Sequence, residues 1–575
     1  MMRWPLCVIA FTGICLGQVP DYRVGLYTQQ PPSHVTISPA VGGARWAGCA
    51  SCAESTVTAP LEIDGVAGML RVAGQKRQYP AVFLIGAYHL RPTGHAAIEA
   101  RFPLEIRAQG NKLQLIMSLP LEEYVEAVLA AESGNEQPDQ SLQAMAVAVR
   151  TYAVHFRRRH KAEGFDYCDT THCQDFRFSA INERIRAAAE ATEGEMLWYE
   201  GQPAVTYYHQ NCGGNIADAS EVWPGPKVPY LREHLDPYCS RANGSSWHST
   251  IAKSDIDRAL RSADIEVPTG WTSLLIESRN PTGRAVRLLF VAGGTRTAVS
   301  ASSFRFAVNR ALGWNQVRSD LYEIRDSGND IVFTGRGSGH GVGLCQAGAE
   351  EMARENRSYR DILAFYYPGT VLGVTAQGLS WQLESSEHVE LLTTRGQADA
   401  SMLPLAESAM SRAEAATGLR YDFRPRLKIY PTLDAYRDST GEPGWVAATT
   451  RGRTIRLQPV PLLRAHAVLE STLYHELLHL LVEAHAHPGL PLWFREGLVL
   501  YLGETAAAGA SRTAIDPPPV FDRSQDRRQT EQAYAAARAR VATLVHDRGK
   551  ETVLGWLSRG LPADLGSTTA VGAQK

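Results

Sequence analysis

Three short groups of residues have the types and spacing that chemistry needs. The first is a single carboxylate. Leu121, Val125 and Val128 recur at helical spacing, with Tyr124 and Leu129 widening the stripe, and one more turn brings Glu132 onto the same apolar face. Apolar surroundings disfavour its charged form, and so does the negative end of a helix. Both raise its pKa, which is what a general acid working near neutral pH requires. The alternative is an ion pair between Glu132 and a base such as Arg150. The second group is Cys168, His172 and Cys173, gathered in DYCDTTHCQDFRF at 166–178. Thiolate and imidazole are ligands that zinc prefers, and a Cys168–Cys173 disulfide is the competing reading. His160, His209 and Cys212 are candidates for a fourth ligand. The third is His475-Glu476-Leu-Leu-His479, followed by Trp493-Phe-Arg-Glu496-Gly. Two imidazoles four apart share one helix face, suited to zinc. Glu476 is placed to take a proton from water, and Glu496 to be the third ligand.

These groups need particular elements to hold them. Pro120 suits a first helical turn, so one helix is expected over 121–132. Ser133-Gly134-Asn135 breaks it, and a second starts near Asp139 with Leu142, Met145, Ala146 and Val149 inward. The adjacent His172-Cys173 pair implies a loop. Residues 21–118 alternate short apolar runs (YRVGLY, HVTISP, AVFLIG, KLQLIMS) with Gly and Pro turns, which reads as β-rich structure. Residues 245–332 add a helix at 256–262 and further strands. After 380 the chain turns alanine-rich and helical, with a helix at 406–417 and a strand at LKIYPT. Tyr534 is either a hydrogen-bond donor to a developing oxyanion or a packing tyrosine.

A chain of 575 residues exceeds one core, so several domains are expected. A net charge of −2 gives no basic footprint, which argues against a nucleic-acid partner. Nothing after residue 20 is apolar enough to span a bilayer, so contact with a membrane is peripheral at most. Residues 1–19 read as a secretory signal, Arg3 followed by the run Leu6–Leu16, which makes the protein exported: periplasmic, or extracellular at the cell wall. Seven cysteines remain after it, an odd number that leaves a free thiol or a metal ligand. Cys49 and Cys52 form a local disulfide or sit in a loop.

The run PLEEYVEAVLAAES…SLQAMAVAVRTYAV resembles the signature of the stage II sporulation protein D family (SpoIID/LytB), whose glutamate falls on Glu132. Ser133-Gly134 stands where the family has Met-Pro. The resemblance continues through the Cys168/His172/Cys173 stretch, which binds zinc in some members. It extends through His209, Asn211, Gly213 and Gly214 in TYYHQNCGGN, and through GRGSGHGVGLCQAGA at 335–349, with His340 and Gln346, to YYPGT at 366–370. It implies an α+β, β-rich domain over 20–380 with a catalytic helix pair. It also implies a lytic transglycosylase cleaving the MurNAc–GlcNAc linkages of denuded peptidoglycan strands to 1,6-anhydro products. Glu132 is then the acid/base; His209, Asn211, Gly213, Gly214, His340 and Gln346 line the glycan groove. Relatives described as amidase enhancers imply the alternative of a non-catalytic glycan-binding partner of a cell-wall amidase.

The HExxH and W-x-x-EG runs resemble the gluzincin (peptidase MA-like) family. That implies a mainly helical zincin-like domain over 386–562, with Zn2+ on His475, His479 and Glu496 and with Glu476 catalytic. In a third reading this zinc peptidase is the main activity and the front domain targets the wall. Residues 563–575 read as a disordered tail.

Overall fold

The structure is a computed structural model describing residues 22–49, 52–134, 137–223, 225, 227–242, 245–487, 489–503, 527–562 and 565. The expected signal and tail lie outside the described residues, as do Asn135 and Glu136 of the turn after Glu132. The chain divides into two compact units, Asp21–Leu379 and one that includes everything from Ser380 on. Both contain helices and sheets.

The first unit is built on an eleven-stranded, largely antiparallel sheet. Its alternation is what the sequence suggests: Ala81–Pro92 buries every second residue along most of its length. The strand Lys112–Leu119 runs directly into helix α1, Leu121–Glu132, through Pro120. Ser133 ends α1 in an extended conformation, and α2 follows over Asp139–His155. Leu142, Met145, Ala146 and Val149 are buried, as their spacing predicts. α1 is buried more completely than one stripe requires: Glu122, Glu123 and Glu126 are buried beside its apolar residues. The short strand Tyr167–Cys168 adds in parallel to the first strand, pairing Gly25 with Cys168. It ties the Cys/His loop to the sheet edge.

The region 246–336 forms a module with its own core around Trp247, Phe290, Phe304 and Phe333. Its first and last strands pair with each other, Ser246 opposite Arg336.

The second unit is less purely helical than expected. A five-stranded mixed sheet, including Arg426–Ile429 as its parallel centre, packs with helices Met402–Thr417, Leu469–His485 and Leu492–Gly503. No helix among the described residues is long and apolar enough to cross a membrane.

Candidate active site and metal centres

Glu132 closes α1 in a half-buried position. The backbone N–H of Asp175 donates to its Oε1 at 3.2 Å. The Gln346 side chain also hydrogen-bonds it, and Arg177 lies within electrostatic range. Burial wins over these charge-stabilising contacts, helped by the Asp175 charge, and pushes the carboxyl up to about 7. Arg150 is not its partner. Arg150 is buried against Glu122, donating from Nε and Nη2 at 2.7 and 2.6 Å, so the ion-pair alternative is replaced by a pair one helix face away. Glu132 is thus left with its raised pKa and without a direct ion pair.

Around it stand residues that the motifs alone did not single out. Gln174 accepts from the Tyr124 hydroxyl and donates to that of Tyr208, each at 3.0 Å. Tyr208 is kept protonated by burial and by the nearby Glu132 charge. The strand pair Tyr208–His209 with Leu344–Cys345 brings Gln346 to the glutamate from more than a hundred residues away.

The predicted groove residues separate into two kinds. His340 is half-buried, its ring 4.8 Å from that of Trp223 and 5.3 Å from that of His209. Nδ1 of His340 accepts from the Val342 N–H, and Nε2 donates to the Tyr208 carbonyl. Burial drives its pKa down to about 3, so it is a neutral positioning group. His209 is buried, Nδ1 donating to the Val342 carbonyl, with its own pKa well lowered by burial. Asn211 is also buried. Its Oδ1 accepts from the Gly213 N–H and lies 3.2 Å from Cys239 Sγ. A Cβ on Gly213 would meet Leu321 at 2.9 Å, and one on Gly214 would meet Ser240 at 2.7 Å. Their φ values of +72° and +97° are the positive φ that paired glycines allow. Trp223, beside His340, is half-buried.

The Cys/His loop gathers four donors. One atom each from His160, Cys168, His172 and Cys173 lies within 4.8 Å of every other. Both cysteines are free thiols, with Sγ 3.7 and 3.8 Å from Nδ1 of His172. Of the three candidates for the fourth position, His160 lies in this cluster. His209 is engaged elsewhere, and Cys212 sits in a different cluster. Nδ1 of His160 donates to Glu163 at 2.7 Å, and its buried Nε2 has no partner, leaving a lone pair directed by a carboxylate. The donor set fits zinc. The same loop carries Gln174 and Asp175, so fixing it also fixes the groups at Glu132. Cys49 and Cys52 are joined in a disulfide.

In the second unit His475 and His479 share a helix face, ring centroids 4.7 Å apart. His479 Nε2 lies 3.2 Å from Glu496 Oε2. Glu476 accepts from the Thr450 hydroxyl at 2.6 Å. Burial lowers the pKa of His475 to about 4, keeping the neutral form that a metal ligand needs. Burial raises that of Glu476. Gly497 is required by packing: a Cβ there would lie 2.5 Å from the Ala537 carbonyl oxygen of the Arg527–Arg548 helix. Tyr534 is half-buried on that helix.

Fold and site define the first unit as a sheet and helix pair built around one partly buried glutamate of raised pKa. The SpoIID model, stage II sporulation protein, matches residues 109–199, which include α1, α2 and the Cys/His loop. An uncharacterized protein of Brachyspira hyodysenteriae is 32% identical over 257 residues, 44% of this chain and 67% of that protein. The chain carries a SpoIID domain. Stage II sporulation protein D of Bacillus subtilis is 26% identical over 284 residues, 47% of this chain and 78% of its own. The amidase enhancer of the same organism is 24% identical over 290 residues, 41% of this chain and 39% of its own.

Proposed function

We propose that the first unit is a lytic transglycosylase acting on peptidoglycan glycan strands. The observation that carries this reading is Glu132, whose carboxyl sits near 7 with an N–H and an amide beside it. In that state it protonates the oxygen of the MurNAc–GlcNAc linkage. It then accepts the proton of the muramyl 6-hydroxyl, and the 6-oxygen closes on C1 to give a 1,6-anhydro end. One residue serving as acid and then base needs a pKa close to working pH. This differs from schemes with two carboxylates. Gln346 and the Asp175 N–H orient the carboxyl between the two steps, and the Trp223–His340 ring pair supports the sugar. The Cys/His loop binds Zn2+ in this reading, through His160, Cys168, His172 and Cys173. The protein is exported and works at the wall, alongside an amidase. Mass spectrometry of strands stripped of stem peptides is expected to show anhydro-muramyl ends after incubation. Bound but uncut strands would instead leave the glycan-binding amidase enhancer.

The second unit reads as a zinc peptidase module, on the meeting of His479 with Glu496 and the hold of Thr450 on Glu476. A zinc ion on His475, His479 and Glu496 supplies Lewis acidity, and Glu476 takes and returns a proton. A His475→Ala chain is expected to lose about one zinc per molecule by elemental analysis. Unchanged zinc would remove the metal from this unit.

A further inference from the structure

Cys212, Asp236, Cys239 and Cys345 form a second cluster, one donor atom from each lying within 4.8 Å of every other. All four residues have 0% exposure. We propose that they form a tetrahedral metal site of three thiolates and one carboxylate, suited to Zn2+, distinct from the Cys/His loop and the HExxH helix. A tetrahedron with metal–sulfur bonds of about 2.3 Å sets its sulfurs about 3.8 Å apart, within the observed spread.

Four observations support it. First, backbone donors are aimed at sulfur. The Cys212 N–H points to Cys345 Sγ at 3.2 Å, and the Gly214 N–H to Cys212 Sγ at 3.3 Å. N–H groups aimed at sulfur are the outer contacts that hold a metal-bound cysteine in place. Second, Asp236 divides its oxygens. Oδ1 caps the helix Pro237–Arg241 through the N–H groups of Tyr238 and Cys239. Oδ2 lies 3.3 Å from Cys212 Sγ and accepts from the Tyr366 hydroxyl at 2.9 Å, an outer contact of the kind that orients ligating carboxylates. Third, a buried cation stands beside the cluster. Arg284 donates through Nη2 to the Cys212 carbonyl at 2.6 Å, while its buried Nε and Nη1 have no partner. Three thiolates, one carboxylate and a divalent cation leave a net charge of about −2, which this guanidinium partly offsets. Fourth, space is shaped for it. A Cβ on Gly348 would lie 2.6 Å from Asp236 Oδ2, and one on Gly341 2.2 Å from the Arg284 guanidinium.

The site would fasten three segments: the turn at 212–214, the cap at 236–239, and Cys345, whose neighbour Gln346 touches Glu132. The full-length chain, purified without chelator, tests the idea. Zinc in Cys239→Ser is expected to fall by about one equivalent below wild type, and by the same amount in a His475→Ala background. Unchanged zinc overturns the proposal. Because loss of fold would itself release metal, wild type is also alkylated with iodoacetamide after denaturation with a chelator and without reductant. Complete labelling of Cys212, Cys239 and Cys345 is expected. A disulfide between any two of them overturns the proposal.

Discussion

Glu132→Gln is expected to cut the rate of anhydro-end formation by about 10²–10⁴-fold while leaving strand binding intact. Glutamine keeps the shape and still accepts from the Asp175 N–H, but it neither gives nor takes a proton. For wild type, kcat/KM should be flat at low pH and fall about tenfold per pH unit above 7, because the acid must start protonated. The same shift has a thermodynamic signature that a merely structural glutamate would lack. Between its ordinary value of 4.5 and about 7, the folded chain holds a proton on Glu132 that the unfolded chain has released. Stability from this group is therefore present below the unfolded pKa and lost as pH rises through that window. Glu132→Gln removes the loss. At pH 8 the inactive variant should be the more stable by about 2 kcal/mol, allowing for the opening to solvent. Denaturant melts at pH 5 and pH 8 measure it. A variant equally stable at both pH values, relative to wild type, would contradict the raised pKa.

Arg150→Met should damage the fold most among single changes near the site. Arg150 is wholly enclosed and Glu122 nearly so. The guanidinium donates to both Glu122 oxygens and to the carbonyls of Ala189 and Glu195, joining α1 and α2 to the chain at 189–195. Removing it leaves Glu122 buried with one long contact, the Gly194 N–H at 3.3 Å. Stranding a charge in this way costs about 3–5 kcal/mol. The melting temperature of the first unit should fall by roughly 5–10 °C. Adding Glu122→Gln should recover much of the loss, since the penalty belongs to the unpaired carboxylate. A double variant no better than the single would mean that the lost carbonyl contacts dominate.

Local patterns made much of this legible. The α1 stripe placed Glu132 at a helix end, and the alternation in 22–119 gave the sheet strands. The HExxH spacing put two imidazoles on one face. What escaped depended on pairing between distant segments. Glu122 and Arg150 are 28 residues apart, and nothing in either helix says that they meet. Sequence alone offers Arg150 as a partner for Glu132. Asn211, Gly213 and Gly214 are groove residues only through the family resemblance. Their burial is set by Leu321, Ser240 and Cys239, all remote in sequence. The odd cysteine count was a usable signal. One local pair and two loop cysteines leave Cys212, Cys239 and Cys345 over. The mixed sheet of the second unit hid because its strands are four residues each, too short for a period to show.

The pairing of Ser246 with Arg336 means that the 246–336 module enters and leaves the first unit at a single doorway. Chain length inside the doorway is free to grow or shrink, since closing a longer loop adds little entropy. The neighbours of Glu132 contributed by 174–175 and 346 lie outside it. Yet Arg284 reaches back through the doorway to the carbonyls of Cys212 and Asn215. The module thus carries a charged tether into the interior of its host, beside the Arg318 carbonyl that accepts from the Gly339 N–H. A shortened chain that discards the module would have to supply another cation at that point.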